Sequence, residues 1–341
     1  MRSFGSDNHS GAHPLVIEAV AAANKDHEVA YGDDPYTSRV RNAMREMFGP
    51  QADPYVVFSG TGANILAIRT LTRPYEAVVC PFTAHINENE TGAPEALMGC
   101  KLFTTPTPDG KLTPQMVQHW LTYATGNQHR NQPRVVSITQ PTELGTLYTV
   151  EEICALSDFA HAHDMYLHVD GARFGNAVAA LGVTPREMIT DTGVDVLCFG
   201  GTKNGLMAGE IVVFLNPGLG KGAPFGRKQL AQLPSKMRFV SAQFEAYLKD
   251  GLWLSMAAHS NGMAAYFAGK LNDMDGVRVT QKVEANTIFA ELPRAAALRL
   301  RERHYFNINA ADPCTARWIC SFDTTRQDID AFVADLREVA G

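Results

Sequence analysis

Val194-Asp-Val-Leu-Cys-Phe-Gly-Gly-Thr-Lys203-Asn-Gly205 sets a lysine just beyond a run of buried character. Residues Val194 to Phe199 read as a strand covered on both faces, because an apolar run without alternation leaves no face for water. Two glycines end it, and a second apolar run, Glu210-Ile-Val-Val-Phe-Leu215, follows the turn. A lysine between two buried strands loses hydration, and desolvation disfavours its charged form. The neutral amine is then a nucleophile able to form an imine with a carbonyl. Taken alone, the stretch is more simply a surface lysine in a tight turn. The surrounding chain changes that reading.

Upstream, Val56-Val-Phe-Ser59 is a short strand, and Gly60-Thr61-Gly62-Ala63-Asn64 opens a helix to about Leu71. Glycines between a strand and a helix N-terminus leave backbone N–H groups free for a phosphate. The pattern is neither a Walker A loop nor the dinucleotide-binding GxGxxG, and a plain tight turn also fits it. Strand-like runs follow at Ala77-Val-Val-Cys80, Lys101-Leu-Phe-Thr104, Arg134-Val-Val-Ser-Ile-Thr139 and Met165-Tyr-Leu-His-Val169, most of them separated by helical patterns. One such helix carries the capping box Thr149-Val-Glu-Glu152. This alternation predicts an α/β fold with a mainly parallel sheet, whose functional residues gather at the carboxyl ends of the strands. Asp170 stands there, directly after Val169, with Gly171-Ala-Arg173 behind it; His85 follows another strand.

On the near side, Pro14 starts a helix to about Asn24, and Tyr31-Gly-Asp-Asp-Pro-Tyr36 is a loop. Thr37 is the expected cap of the next helix, which Gly49 ends. Beyond Lys203, Gly226 to Arg238 is basic and helical with a break at Pro234. A long helix spans about Trp253 to Leu271, and short strands fall near Val277, Ile288, Phe306 and Ala316 to Phe322. A last helix begins after Thr325. Three parts are expected: an N-terminal segment 1–15 that contributes to the site, a large domain 16–248, and a smaller α+β domain 249–341.

The 341 residues are 45% hydrophobic and 19% charged, with a formal net charge of -6 and no basic block. That balance argues against nucleic acid and anionic membranes as partners. No apolar run is long enough to span a bilayer and the N-terminus has no apolar signal core, so a cytoplasmic protein is expected. The six cysteines form no CxxC pair and read as reduced core thiols, not a disulfide frame or zinc site. His161 and His163 sit two apart on a helix and face away from each other, so no metal is expected there.

A lysine and an aspartate at two strand ends, preceded by a glycine-led helix N-terminus, match the needs of pyridoxal 5′-phosphate. The lysine carries the cofactor as an imine, the aspartate keeps the pyridine nitrogen protonated, and the helix N-terminus takes the phosphate. Further stretches extend the match: Ser6-Asp-Asn8, Tyr31-Gly-Asp-Asp34, Gly60-Thr-Gly-Ala-Asn64, Thr83-Ala-His85, His168-Val-Asp-Gly-Ala-Arg173, Cys198-Phe-Gly-Gly-Thr-Lys-Asn-Gly205 and Ala316-Arg-Trp-Ile-Cys-Ser321. In these the chain resembles the threonine aldolases among fold-type-I pyridoxal-phosphate enzymes, particularly the low-specificity L-threonine and phenylserine aldolase branch. The matches span nearly the whole chain.

The resemblance implies Lys203 as the imine lysine, Asp170 as partner of the pyridine nitrogen, and His85 stacked on the ring. It implies Gly60, Thr61 and Gly62 at the phosphate, and Arg173 supporting both the ring and the substrate carboxylate. Ser6 and Arg317 would bind that carboxylate, and His129 would lie near the substrate hydroxyl. The activity implied is retro-aldol cleavage of a β-hydroxy-α-amino acid to glycine and an aldehyde. The general base is open among His129, His85 and an ordered water. β-Elimination or transamination on the same fold is the rival chemistry, and a ligand-binding protein without activity is the rival from outside enzymes. A homotetramer, as a dimer of dimers with shared sites, is also implied. Tyr31 would reach a neighbour's site, and Lys228 a neighbour's phosphate unless its helix is only a solvated face.

Overall fold

Seven strands form the larger sheet in the computed structural model, which describes residues 3–272 and 274–340. They are β1 (Asp53–Val57), β2 (Glu76–Pro81), β3 (Lys101–Thr105), β4 (Gln132–Thr139), β5 (Tyr166–Gly171), β6 (Val196–Gly200) and β7 (Glu210–Phe214), in the order β1-β7-β6-β5-β4-β2-β3. All are parallel except β7, which is antiparallel to both β6 and β1. The reversal has a local cause. Only the turn around Lys203 separates β6 from β7, and a parallel return needs a crossover of a dozen residues or more. Every residue of β6 and β7 is buried, as the continuous apolar runs require.

Helices cover both faces. Val79, Leu167, Leu197 and Val213 pack on one side with Met44, Ile153 and Phe174, while Val78, Val135, Val196 and Val212 pack on the other with Ile65, Leu66 and Ala223. A second, antiparallel sheet holds β8 (Arg278–Val279), β9 (Thr287–Leu292), β10 (Asn307–Ile308) and β11 (Cys314–Ile319), in the order β10-β11-β9-β8. Its core includes Phe267 stacked on Trp318 with ring centroids 5.3 Å apart. Phe4 is buried in this core: its N–H donates to the Tyr305 carbonyl (3.1 Å) and its carbonyl accepts from Ile319 N–H (2.9 Å). The helix Leu252–Leu271 belongs to both units, with Trp253 and Met256 in the first core and Phe267 and Leu271 in the second.

Local signals settle most helix ends. Pro14 opens Pro14–Ala22, Gly49 caps Pro35–Phe48, and the box Thr149/Glu152 closes on itself ahead of Val150–Ala162. Thr37 is not the cap of Pro35–Phe48. Asp34 is, its Oδ1 accepting from Thr37 N–H at 2.8 Å, because Pro35 takes the first helical position and moves the start forward. The basic stretch expected to be helical from Gly226 to Arg238 is helical only at its ends: Ala223–Gln229 stops well before Pro234, residues 230–237 are turn and coil, and the next helix is Arg238–Leu248. Among the described residues no helix is long and apolar enough to cross a membrane. All six cysteines are free and only Cys154 is not buried.

Candidate active site

The carboxyl ends of β5 and β6 meet with little room between them. A Cβ on Gly200 would stand 2.5 Å from the Ala172 carbonyl oxygen, so only glycine lets the chain leaving β6 pass the chain leaving β5. That passage brings the Lys203 turn beside Asp170. The turn is fixed by Asn204, whose Nδ2 donates to Tyr247 Oη (2.9 Å) and to the Trp253 carbonyl (2.8 Å). Burial and then the charge of Arg173 lower the Lys203 pKa, against the opposing pull of Asp7, Asp170 and Glu210. Glu210, at the start of β7, is pushed up to about 7 by burial, and accepts the Gly201 N–H at 3.1 Å.

Asp170 is buried with both oxygens satisfied: Oδ1 accepts from Ala172 N–H (2.9 Å) and Oδ2 from Asn64 Nδ2 (2.8 Å). Asn64 lies one turn into the helix Gly60–Leu71. At the head of that helix, Ser59 Oγ accepts from Gly62 N–H (3.2 Å) and the Ser59 carbonyl accepts from Ala63 N–H (2.9 Å). The Gly60 and Thr61 amides are the two these caps leave for a phosphate. Gly62 is needed for another reason: a Cβ there would lie 2.2 Å from the Gln232 side chain.

Two arginines converge from the two sheets, Arg173 just beyond β5 and Arg317 on β11. Arg173 is held in a fork by Asp7, with Nε 2.6 Å from Oδ2 and Nη2 3.0 Å from Oδ1. Asp7 also accepts from Asn286 Nδ2 at 3.2 Å. Burial alone would raise the Asp7 pKa, but the Arg173 charge and hydrogen bonds outweigh it and hold the carboxyl below its usual range. Arg317, on β11, has no such partner: its Nε is buried without a hydrogen bond, and burial and Arg173 lower its pKa. Ser6 stands beside Asp7, its Oγ accepting from Asn8 N–H (3.2 Å). His85, at the head of the short helix His85–Glu88, places Nδ1 2.9 Å from Glu90 Oε1, and its backbone N–H donates to Glu143 Oε1 (2.9 Å).

The structure thus brings Lys203, Asp170, Arg173 and Arg317 into one electrostatic group, with Ser6 beside Asp7 and His85 linked to Asp170 through Glu90 and Asn64. It does not bring His129 there. His129 is exposed in the loop before β4, at the amino edge of the sheet, and the run of β4 puts it roughly 20 Å from the Asp170 end. A loop residue has no periodicity to show at which sheet edge it lies, and the structure corrects the expectation within one chain. Tyr31 and Lys228 find each other instead, with Lys228 Nζ 4.6 Å from the Tyr31 ring centroid on an exposed face. Asp7, Asn64 and Glu90 were not singled out from the sequence. Asp7 and Asn64 sit inside quoted motifs, but their partners lie more than a hundred positions away.

The residues fit pyridoxal 5′-phosphate by the chemistry they offer. There is an amine of lowered pKa, a buried carboxylate anchored by two donors, two uncapped helix amides, and a guanidinium with an unpaired N–H.

The sequence profile of the beta-eliminating lyase family matches residues 3–294. The chain is 41% identical over 339 residues to a low specificity L-threonine aldolase of a Pseudomonas species, covering 99% of this chain and 98% of that one. Its identity to the low specificity L-threonine aldolase of Pseudomonas aeruginosa is also 41%, over 341 residues, covering 100% and 98%. The solved structure of a Leishmania major threonine aldolase superimposes with a TM-score of 0.93 at 31% identity, covering 100% of both chains. On these grounds the chain belongs to the beta-eliminating lyase family and, within it, to the threonine aldolases.

Proposed function

We propose that the enzyme cleaves L-threonine, L-allo-threonine and related β-hydroxy-α-amino acids such as phenylserine to glycine and an aldehyde, with pyridoxal 5′-phosphate as cofactor. The observation that carries the reading is the contrast between two neighbouring guanidinia. Arg173 is neutralised by Asp7, while Arg317 is half-buried with an N–H unpaired, which suits a substrate carboxylate. Bound pyridoxal 5′-phosphate supplies the electron sink for the pair left on Cα when the Cα–Cβ bond breaks.

Lys203 would hold the cofactor, Asp170 its ring nitrogen, and the Gly60 and Thr61 amides its phosphate. Arg317 grips the substrate carboxylate and Ser6 Oγ adds a donor, which orients Cα. His85 Nε2 takes the β-hydroxyl proton as the Cα–Cβ bond breaks and the carbonyl forms. Lys203 Nζ, inclined by burial toward its neutral form, accepts that proton in turn and delivers it to Cα, which completes glycine. Arg173 is left to the fixed architecture of the site, because its fork already faces Asp7.

The assembly we infer is a homotetramer of dimers with shared sites. Phe58, Phe82 and Met207 lie exposed just beyond β1, β2 and the Lys203 turn, with Tyr31 and Phe225 exposed as well. A rim of large apolar side chains at the carboxyl edge suits cover by a second copy. The buried free thiols suit a reducing cytoplasm. The test is product analysis with threonine, allo-threonine and phenylserine in parallel. Glycine and aldehyde should appear in equal amounts; a 2-oxo acid with ammonia would show β-elimination instead.

A further inference from the structure

The residue beneath His85 is Glu90, whose side chain is fully buried while the imidazole is 38% exposed. Glu90 Oε1 lies 2.9 Å from His85 Nδ1 and also 2.9 Å from Asn64 Nδ2. The same Asn64 nitrogen is 2.8 Å from Asp170 Oδ2. Both neighbours of that amide are carboxylates, so the atom facing them is the nitrogen, and each of its two hydrogens goes to one of them. Glu90 Oε1 is therefore an acceptor already. The hydrogen between it and the imidazole belongs to the ring.

We propose that Glu90, fixed by Asn64 against Asp170, is a positioning residue that holds His85 with Nδ1 protonated and Nε2 open. A neutral imidazole has one donor nitrogen and one acceptor, so occupying Nδ1 as donor leaves Nε2 as the acceptor. Nε2 is the atom that receives the β-hydroxyl proton, and in this respect the inference rests on His85 being the base. The carboxylate then faces the imidazolium that forms, while Glu143, on the backbone N–H side, and Asp170, beyond Asn64, are the other acids nearby. Glu90 Oε2 and Asn64 Oδ1 are buried without hydrogen-bond partners, so what fixes these two side chains is the His85–Glu90–Asn64–Asp170 line itself.

Neutron diffraction from crystals of the holoenzyme tests the tautomer directly. Deuterium is expected on Nδ1 of a neutral His85, and a map with it on Nε2 alone overturns the proposal. Two substitutions supply the functional arm. Glu90→Gln keeps an oxygen acceptor, because the Asn64 amide hydrogen opposite forces the oxygen rather than the nitrogen of glutamine to face it. Glu90→Leu fills similar space with no acceptor. Threonine cleavage should lose less than about threefold in kcat with Gln and about tenfold or more with Leu, at similar KM and similar unfolding midpoints. Equal kcat in the two variants would reduce Glu90 to a packing role and sink the inference. His85→Phe separates the two layers: wild-type kcat in that variant removes His85 as the base, while the neutron result on Nδ1 stands or falls by itself.

Discussion

Arg173 makes the charge on Arg317 harder to hold, and Asp7, which pairs with Arg173 and pulls the other way on Arg317, is the residue that makes their proximity sustainable. Its folded pKa is depressed below 3.8, so its contribution to stability is present above that pH and is lost as pH falls through the lower, folded value. Asp7→Asn should therefore destabilise the protein by about 3 kcal/mol at pH 7, the usual penalty for stripping one partner from a buried ion pair. In urea titrations the gap to wild type should narrow once the pH drops below the ordinary carboxylate range. A gap unchanged in acid would mean the charge on Asp7 is not what stabilises the fold. Lys203→Ala should abolish the visible absorbance of the lysine-linked cofactor and lower turnover by roughly 10³-fold or more. Borohydride trapping in the wild type, followed by peptide mapping, checks the assignment; label on any other lysine removes it.

The helix Gly60–Leu71 shows how one element has two ends to serve, with uncapped amides at its first residues and Asn64 holding Asp170 from its first turn. Gln232, which accepts from Phe58 N–H (3.3 Å) and Ser59 Oγ (3.3 Å), occupies the space over Gly62. Gly62→Ala should cost about 1–2 kcal/mol by displacing those hydrogen bonds, and should cost little in a Gln232→Ala background. Thermal unfolding of the two single variants and the double variant measures the coupling; simple additivity would remove Gln232 as the reason for glycine. What was legible in the sequence at this scale was what local chemistry dictates. Pro14, Gly49 and the Thr149 box mark their helices because each acts within one turn, and the apolar runs of β6 and β7 announce burial on both sides. That Lys203 and Asp170 lie together was legible because each follows a strand, and parallel neighbours end at the same edge of a sheet. Thr37 misled because the better cap stood three residues earlier, and His129 because a loop carries no register. Glu90 left no signal, and Asn64 only its place in a glycine-rich motif, since their significance lies in partners that folding brings near.

For the assembled protein, sharing of sites can be tested by complementation. Lys203→Ala and Tyr31→Ala subunits, each expected to be poorly active, should regain activity when refolded together, because some mixed dimers then carry one site with both residues intact. Activity that stays low despite demonstrated mixed oligomers would place both residues in one subunit's site or make Tyr31 irrelevant. The path of the N-terminal segment has a consequence of a different kind. Phe4 sits between Tyr305 and Ile319, and Asp7 is held by Arg173 and by Asn286. Apart from Arg173, the partners that seat this segment stand some three hundred positions further along the chain. A chain cut before β11 would leave Phe4 without Ile319 and the group around Arg173 without Arg317, however well its larger sheet folds.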